Sequence, residues 1–171
     1  HNGIADTLVV VPAFNEQNNI VGVLREIQSS LPSADILVVN DCSHDATAAF
    51  ARNFDGVCVI DLPCNLGIGG AMQTGFKYAL SKDYQYVVQV DGDGQHVPSE
   101  VGALFEKMQQ ERCDMVIGSR FLDVDSFRTT WCRRLGIKVF YCLFRALVNT
   151  RITDGTSGFR LYNRKSLQVL A

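Results

Sequence analysis

One strand-like run ends in two closely spaced carboxylates, and this feature constrains the chain more than any other. Residues 86–90 (Tyr-Val-Val-Gln-Val) are rich in β-branched residues and are typical of a largely buried strand. Asp91, Gly92 and Asp93 follow at once. In open α/β sheets, ligands bind at the carboxyl ends of the strands. The pair indicates a site for Mg²⁺ or Mn²⁺, because such hard cations are held by one or two carboxylates together with substrate phosphates.

A tight hairpin turn is the simpler alternative for this segment. Asp-Gly occurs twice, at 91–92 and 93–94, and it is a strong hairpin signal. A hairpin requires a second strand, whereas residues 98–110 start with Pro-Ser-Glu and continue with apolar residues at helical spacing. The sequence therefore favours a strand, a loop and a helix in succession.

The rest of the chain alternates strands with helices. We predict strands at 7–11, 36–39, 57–62, 86–90 and 115–117, and helices at about 15–30, 44–53 and 99–110, with another from the glycine-rich segment 66–71 to about 82. Pro12 ends the first strand in this prediction. The alternation indicates crossover connections on a mostly parallel, Rossmann-like sheet flanked by helices.

Four acids lie just after strands of this predicted sheet. They are Glu16, Asp41, Asp91 and Asp93. A single acid in such a place is typically a helix cap or a turn residue. The loops at the carboxyl ends of parallel strands share one edge, where function is concentrated, so four acids predict a common crevice.

Composition excludes several classes of protein but does not identify the class to which this chain belongs. The chain has 171 residues and a net charge of −2, which is enough for one domain with a substantial core and gives no overall attraction to nucleic acid. No apolar run reaches the roughly 18 residues of a membrane-spanning helix. We expect residues 1–3 to be a cloning remnant. The six cysteines lack Cys-x-x-Cys spacing, so we expect small buried side chains and no zinc site.

The glycines at 67–70 invite comparison with a dinucleotide-binding fingerprint. That fingerprint needs glycine or alanine at its sixth place, where this chain has Met72. We therefore predict no NAD site. The glycines indicate either a loop that passes close to a backbone or ligand, or a plain loop that leads into a helix.

Residues 126–152 carry six basic side chains and no acid. Wound as a helix, this segment places Arg134, Lys138 and Arg145 in one stripe opposite an apolar face. Such a helix can lie in a membrane interface and attract anionic head groups. A surface helix packed on the sheet, with its charges in water, explains the pattern equally well.

Four motifs occur in one order along the chain. They are residues 10–16 (VVPAFNE), 39–47 (VNDCSHDAT), 91–96 (DGDGQH) and 154–162 (DGTSGFRLY). In these motifs the chain resembles the family 2 inverting glycosyltransferases over nearly its whole length. The last motif and residues 118–121 (GSRF) make it similar to the dolichyl-phosphate mannose synthase-like branch. The resemblance implies a GT-A fold, a nucleotide-sugar donor such as GDP-mannose or a UDP-hexose, Mg²⁺ or Mn²⁺, and a polyprenyl-phosphate acceptor at the cytoplasmic face of a membrane.

The resemblance also implies roles for individual residues. The nucleotide-sugar site is expected to comprise Pro12, Phe14, Glu16, Val39, Asp41, Asp91, Gly92 and Asp93. Asp93 is the expected main metal ligand with Asp91 beside it, and Arg120 completes the catalytic set at the phosphates of the reaction centre. Together with the basic stripe described above, this predicts that the acceptor phosphate meets Arg120, Arg134, Lys138 and Arg160.

Two departures from the family pattern qualify these expectations. Asn40 stands where the family often has the first aspartate of an Asp-Asp pair. Relatives also continue past the position of Ala171 and supply further basic residues to the diphosphate. We therefore expect a single GT-A catalytic domain over residues 1–171 that is truncated at its C-terminus, with a membrane segment separate or missing.

Two alternative functions stay open at this point. A family 2 transferase to a sugar hydroxyl in cell-surface polysaccharide synthesis would need a positioned base, since a hydroxyl is a poor nucleophile. A phosphate monoester has a second pKa near 6 and arrives ionised, so it needs arginines more than a base. The other alternative is a module that binds nucleotide sugars without turnover.

Overall fold

A computed structural model describes residues 3–93, 100–118 and 158–171, which form a six-stranded sheet with helices packed on both faces. The strands are β1 (Thr7–Ala13), β2 (Asp35–Asn40), β3 (Val57–Asp61), β4 (Tyr86–Gln89), β5 (Met115–Ile117) and β6 (Arg160–Asn163). The helices are α1 (Ile20–Ser30), α2 (Thr47–Arg52), α3 (Gly67–Ser81), α4 (Val101–Glu111) and α5 (Arg164–Leu170), and a 3₁₀ turn at Gly3–Asp6 precedes β1.

The strand order is β3-β2-β1-β4-β6-β5. Strands β3, β2, β1 and β4 pair in parallel, whereas β6 is antiparallel to both β4 and β5. The chain moves outward from β1 through β2 to β3 and then returns to the other side of β1 with β4. This reversal creates a topological switch point between β1 and β4, which is where open α/β sheets bind ligands.

Strand β1 is the centre of two cores. Leu8 and Val10 pack with α3 on one face, and Val9 and Val11 pack with α1 and α4 on the other. All four side chains are at most 1% exposed. This two-sided burial explains why the strand is a continuous apolar run and lacks the polar alternation of a half-exposed strand.

The mostly parallel α/β prediction is confirmed, with local corrections. Strand β1 continues through Pro12 to Ala13, because Pro12 lies beyond the last pair of the β1–β4 ladder, Val10 with Gln89, and its missing N–H removes no bond on that side. The hairpin alternative is wrong, since β4 pairs with β1 and β6 and the next described helix is α4.

The glycine-rich segment is the first turn of α3 and not a loop before it, since that helix begins at Gly67. Strand β6 and helix α5 were not predicted. The side chain of Asn163 caps α5 by accepting a hydrogen bond from the Ser166 N–H at 3.0 Å, which is a signal that the sequence does contain.

The described cysteines correct a second expectation. Cys58 and Cys64 are exposed, and Cys42 and Cys113 are half-buried, so none of these four is the fully buried side chain that was expected. All four are free thiols. Within the described ranges, no helix has the length and apolarity needed to cross a membrane.

Close packing of α3 on β1 gives a stability prediction. A Cβ at Gly75 would lie 2.6 Å from Cγ1 of the fully buried Val10, whereas a Cβ at Gly69 in the same helix would meet nothing within 4 Å. We expect Gly75→Ala to lower the free energy of unfolding by about 1–3 kcal/mol through overpacking. Gly69→Ala should raise it by up to about 1 kcal/mol through helix propensity. Urea unfolding followed by circular dichroism measures the stability of both variants. Equal stabilities would contradict the close contact between Gly75 and Val10.

Candidate active site

An open crevice lies at the switch point between β1 and β4. It encloses a cavity of about 240 Å³. The residues that line it are Pro12, Ala13, Phe14, Glu16, Asp41, Ile68, Ala71, Asp91, Gly92 and Asp93. All four acids that were expected at this edge of the sheet therefore meet in one cavity.

The loop after β1 is held against the loop after β2 by five hydrogen bonds. The backbone N–H groups of residues 15–17 donate to Ser43 Oγ, Thr47 Oγ1 and Asp45 Oδ2 at 3.0, 2.7 and 3.2 Å. In return, Asn15 Oδ1 and Gln17 Oε1 accept from the backbone N–H groups of residues 44 and 46. The backbone between the two strand ends is thereby fixed before any ligand binds.

Two side chains of the β1 loop face the crevice. Phe14 is 42% exposed and lies edge-on to the His44 ring, with 6.4 Å between the centroids. Glu16 accepts a hydrogen bond from Asn19 Nδ2 at 2.8 Å, and its backbone carbonyl accepts from the N–H of Ile20 at the start of α1. These contacts explain why α1 begins at Ile20 and not near residue 15 as predicted.

Asp41 joins three parts of the fold at the floor of the crevice. It is 3% exposed, and its Oδ1 accepts from the backbone N–H of Leu66 at 2.7 Å. Its own N–H donates to the carbonyl of Ala13 at 2.9 Å. Through its carboxylate and its backbone N–H, Asp41 therefore ties the segment that enters α3 to the end of β1.

The neighbouring Asn40 has a structural explanation. Its amide donates to Asp61 Oδ1 at 2.9 Å and accepts from the Ser43 N–H at 3.2 Å, and the side chain is 5% exposed. An aspartate here would bring a second carboxylate against Asp61, which also pairs with Arg52. Asparagine at this position satisfies both partners, and the residue does not line the crevice.

Val39 is placed in the core. Its side chain is completely buried on the α3 face of the sheet and is absent from the cavity lining. Because the whole residue is 0% exposed, neither its side chain nor its backbone reaches the cavity in this structure.

The Asp-Gly-Asp segment lies directly against the end of β1. A Cβ at Gly92 would sit 3.3 Å from the Pro12 carbonyl oxygen and 3.5 Å from Glu16 Cγ. Glycine allows this close approach, so the two flanking acids are presented on the crevice wall. Asp91 is half-buried and Asp93 is exposed.

The described residues fit a cation that is coordinated partly by carboxylates of the protein and partly by a substrate phosphate. Within the described ranges, no group of three or more His, Cys, Asp or Glu side chains could hold a metal ion. Two neighbouring carboxylates on an open cavity instead suit Mg²⁺ or Mn²⁺, whose remaining ligands come from water and substrate phosphates.

Arg160 lies in a second cavity of about 680 Å³ beside the first. This cavity is lined by Gln89, Gly158 and Tyr162 as well as by apolar side chains of α3, and Ile68 lines both cavities. Arg120, Arg134, Lys138 and the basic segment 126–152 lie outside the described residues.

Sequence reasoning missed several residues of this region. Ile68 and Ala71 line the crevice because α3 starts beside it, which follows from packing and has no local signal. Gln89 donates to Asp91 Oδ1 at 3.1 Å. A polar residue inside an otherwise apolar strand was a signal that could have identified it.

The family model "Glycosyl transferase family 2" matches residues 8–170, and the chain belongs to this family. It is 33% identical over 170 residues to a polyprenol monophosphomannose synthase of Mycolicibacterium smegmatis, covering 96% of this chain and 64% of the relative. It is 30% identical over 168 residues to an undecaprenyl-phosphate mannosyltransferase of Micrococcus luteus, covering 95% of this chain and 68% of the relative. The resemblance inferred from the motifs is thus confirmed.

Solved structures confirm the GT-A fold. A Mycobacterium tuberculosis glucosyl-3-phosphoglycerate synthase in complex with Mn²⁺, UDP-glucose and phosphoglyceric acid superposes with a TM-score of 0.72 at 23% identity, covering 93% of this chain and 56% of that one. A Pyrobaculum calidifontis mannosyltransferase in complex with GDP-mannose and Mn²⁺ gives 0.68 at 16% identity, covering 97% of this chain and 46% of that one. The chain therefore spans about two thirds of the curated relatives and about half of these structures.

The loop contacts give a prediction about acid sensitivity. Desolvation raises the pKa of Asp45, but hydrogen bonds from Thr47 and Gln17 outweigh it, and the net pKa lies below the ordinary 3.8. Since the pKa of Asp45 is lower in the folded state, its ionised carboxylate stabilises the fold fully above pH 3.8. This stabilisation is lost as the pH falls through the pKa of the folded state. We expect Asp45→Asn to be less stable than wild type at pH 6 and to lose less stability on acidification. The free energy of unfolding of wild type and of Asp45→Asn at pH 6 and pH 3 tests this prediction. Equal losses of stability in the two proteins on acidification would contradict it.

Proposed function

We propose that this chain is the catalytic part of an inverting glycosyltransferase that moves a hexose from a nucleoside-diphosphate sugar to a polyprenyl phosphate. One observation carries the proposal: Glu16, Asp41, Asp91 and Asp93 line a single cavity at the switch point of a family 2 fold. The names of the relatives from Mycolicibacterium smegmatis and Micrococcus luteus support the lipid-phosphate acceptor.

The donor is assigned to the crevice in two parts. Phe14, Glu16 and Asp41 hold the nucleoside, since the aromatic ring offers a face for a base and the carboxylates accept hydrogen bonds from ribose hydroxyls. Asp91 and Asp93 lie at the diphosphate and share a divalent cation with it. When bound there, the cation supplies Lewis-acid stabilisation of the charge that builds on the leaving nucleoside diphosphate. The neighbouring structures with Mn²⁺ and a nucleotide sugar support this assignment.

The acceptor is assigned to the basic residues. An ionised phosphate monoester attacks the anomeric carbon in a single in-line displacement, the bond to the nucleoside diphosphate breaks, and the configuration inverts. Such a nucleophile needs cations to position it and no general base. We assign this role to Arg120, Arg134 and Lys138, with Arg160 as a further candidate beside the crevice. A lipid acceptor places the reaction at a membrane surface, which we propose to be the cytoplasmic face.

Loss of the exposed acid should stop sugar transfer. We expect Asp93→Asn to lower the rate at least about a hundredfold, because it removes several kcal/mol of metal-dependent charge stabilisation. The matched control is Asp55→Asn, an exposed acid at the opposite edge of the sheet, before β3. The assay supplies GDP-mannose or UDP-glucose with Mn²⁺ or Mg²⁺ and a short-chain polyprenyl phosphate.

A second acceptor in parallel reactions separates the competing functions. Transfer to a glycan hydroxyl and not to the lipid phosphate would overturn the assigned acceptor. Binding of the nucleotide sugar without transfer to either acceptor would favour a binding module. Transfer by Asp93→Asn at the wild-type rate would overturn the metal site itself.

A further inference from the structure

A buried polar side chain lies directly behind Asp91. Gln89 is 3% exposed on β4, and its Nε2 donates to Asp91 Oδ1 at 3.1 Å. Its Oε1 accepts from the Tyr162 hydroxyl on the neighbouring strand β6 at 3.4 Å. A single amide thus connects the carboxylate of the crevice to the hydroxyl of a core tyrosine.

The two partners determine which way the amide points. An ionised carboxylate only accepts hydrogen bonds, so the amide nitrogen has to face Asp91 and its oxygen has to face Tyr162. Tyr162 is held in turn, since it is 4% exposed and packs edge-on against Phe76 with 4.9 Å between the ring centroids. Burial raises the pKa of Tyr162, and Arg160 opposes this through a hydrogen bond, with a net rise that keeps the hydroxyl a donor.

Gly158 confines the same carboxylate from another direction. A Cβ at this residue would lie 1.8 Å from Asp91 Oδ2, a distance that no real side chain could occupy. One carboxylate oxygen therefore accepts from the amide while the other lies against a backbone without a side chain. The contact of Gly158 with Asp91 and the hydrogen bond from Tyr162 to Gln89 depend on the antiparallel pairing of β4 with β6, in which Gln89 is opposite Arg160 and Val87 is opposite Tyr162.

We propose that Gln89 is a positioning residue that orients the Asp91 carboxylate towards the cation and diphosphate, and that Tyr162 acts on Asp91 through Gln89. The inference rests on the proposed function, because it assumes that Asp91 faces a metal-bound diphosphate. A polar residue in a core strand is costly unless its hydrogen bonds are made. Gln89 makes one hydrogen bond to the crevice carboxylate and one to the core hydroxyl, so its burial and its orientation have one explanation.

The test measures binding of GDP and UDP by calorimetry, with and without Mn²⁺, for Gln89→Met and Tyr162→Phe. Gln89→Met keeps the length of the side chain and removes both hydrogen bonds. We expect the Mn²⁺-dependent affinity to fall about tenfold or more, as is usual when the hydrogen-bond partner of a metal ligand is lost. Binding without Mn²⁺ should stay within about twofold, since Gln89 bonds to Asp91 and Tyr162 and to none of the residues assigned to the nucleoside.

Combining the two variants separates positioning from general destabilisation. Tyr162→Phe alone should weaken Mn²⁺-dependent binding by a few fold and should have no further effect in the Gln89→Met background. Thr7→Val removes another buried polar group, 1% exposed at the far end of β1, and should lower the melting temperature without changing Mn²⁺-dependent binding. Asp91→Asn and Asp93→Asn report on the site itself.

Each result has a defined meaning. Unchanged Mn²⁺-dependent binding in Gln89→Met, with loss in Asp91→Asn, would overturn the positioning role and leave the proposed function intact. Additive effects of Gln89→Met and Tyr162→Phe would overturn the relay through the amide. Wild-type Mn²⁺-dependent binding in both aspartate variants would overturn the proposed function.

Discussion

Parallel pairing of β1 with β2 on one side and β4 on the other is the constraint on which this molecule depends. Because the three strands run in the same direction, their carboxyl ends reach one edge of the sheet together. After β1 the chain forms β2 and β3 on one side of that strand and then returns to form β4 on its other side. The loops that follow β1 and β4 therefore diverge and leave an open crevice between them. The acids of the site meet there although they are far apart in sequence.

The crevice is built by backbone contacts that leave its acidic side chains facing a cavity. Reciprocal hydrogen bonds fasten the β1 loop to the β2 loop, and Gly92 brings the Asp-Gly-Asp segment against the Pro12 carbonyl. Carboxylates that line one cavity repel each other, and the divalent cation proposed for Asp91 and Asp93 would offset this repulsion. The same geometry agrees with the proposed chemistry. Tyr162 of β6 bonds to Gln89, and Gly158, just before β6, lies against Asp91.

The parts that could be predicted are those in which local sequence and tertiary structure agree. The β-branched runs mark five strands, and the limits of β5 at Met115–Ile117 agree with the prediction. The starts of α1 and α2 were placed too early, since the backbone N–H groups of residues 15–17, 44 and 46 donate to side chains of the opposite segment. Strand β6 was missed because Arg160–Asn163 contains no β-branched residue, and its pairing with β4 and β5 is antiparallel and remote in sequence.

The sequence by itself determined the class of fold, the family and the acids that form the crevice, because strand runs and motifs are written in consecutive residues. Only the tertiary structure decided that Val39 is core, that Asn40 bonds to Asp61, and that Gln89, Tyr162 and Gly158 surround Asp91. Those contacts join residues up to 73 positions apart. Their geometry depends on strand register and close packing, which no local pattern of residue types records.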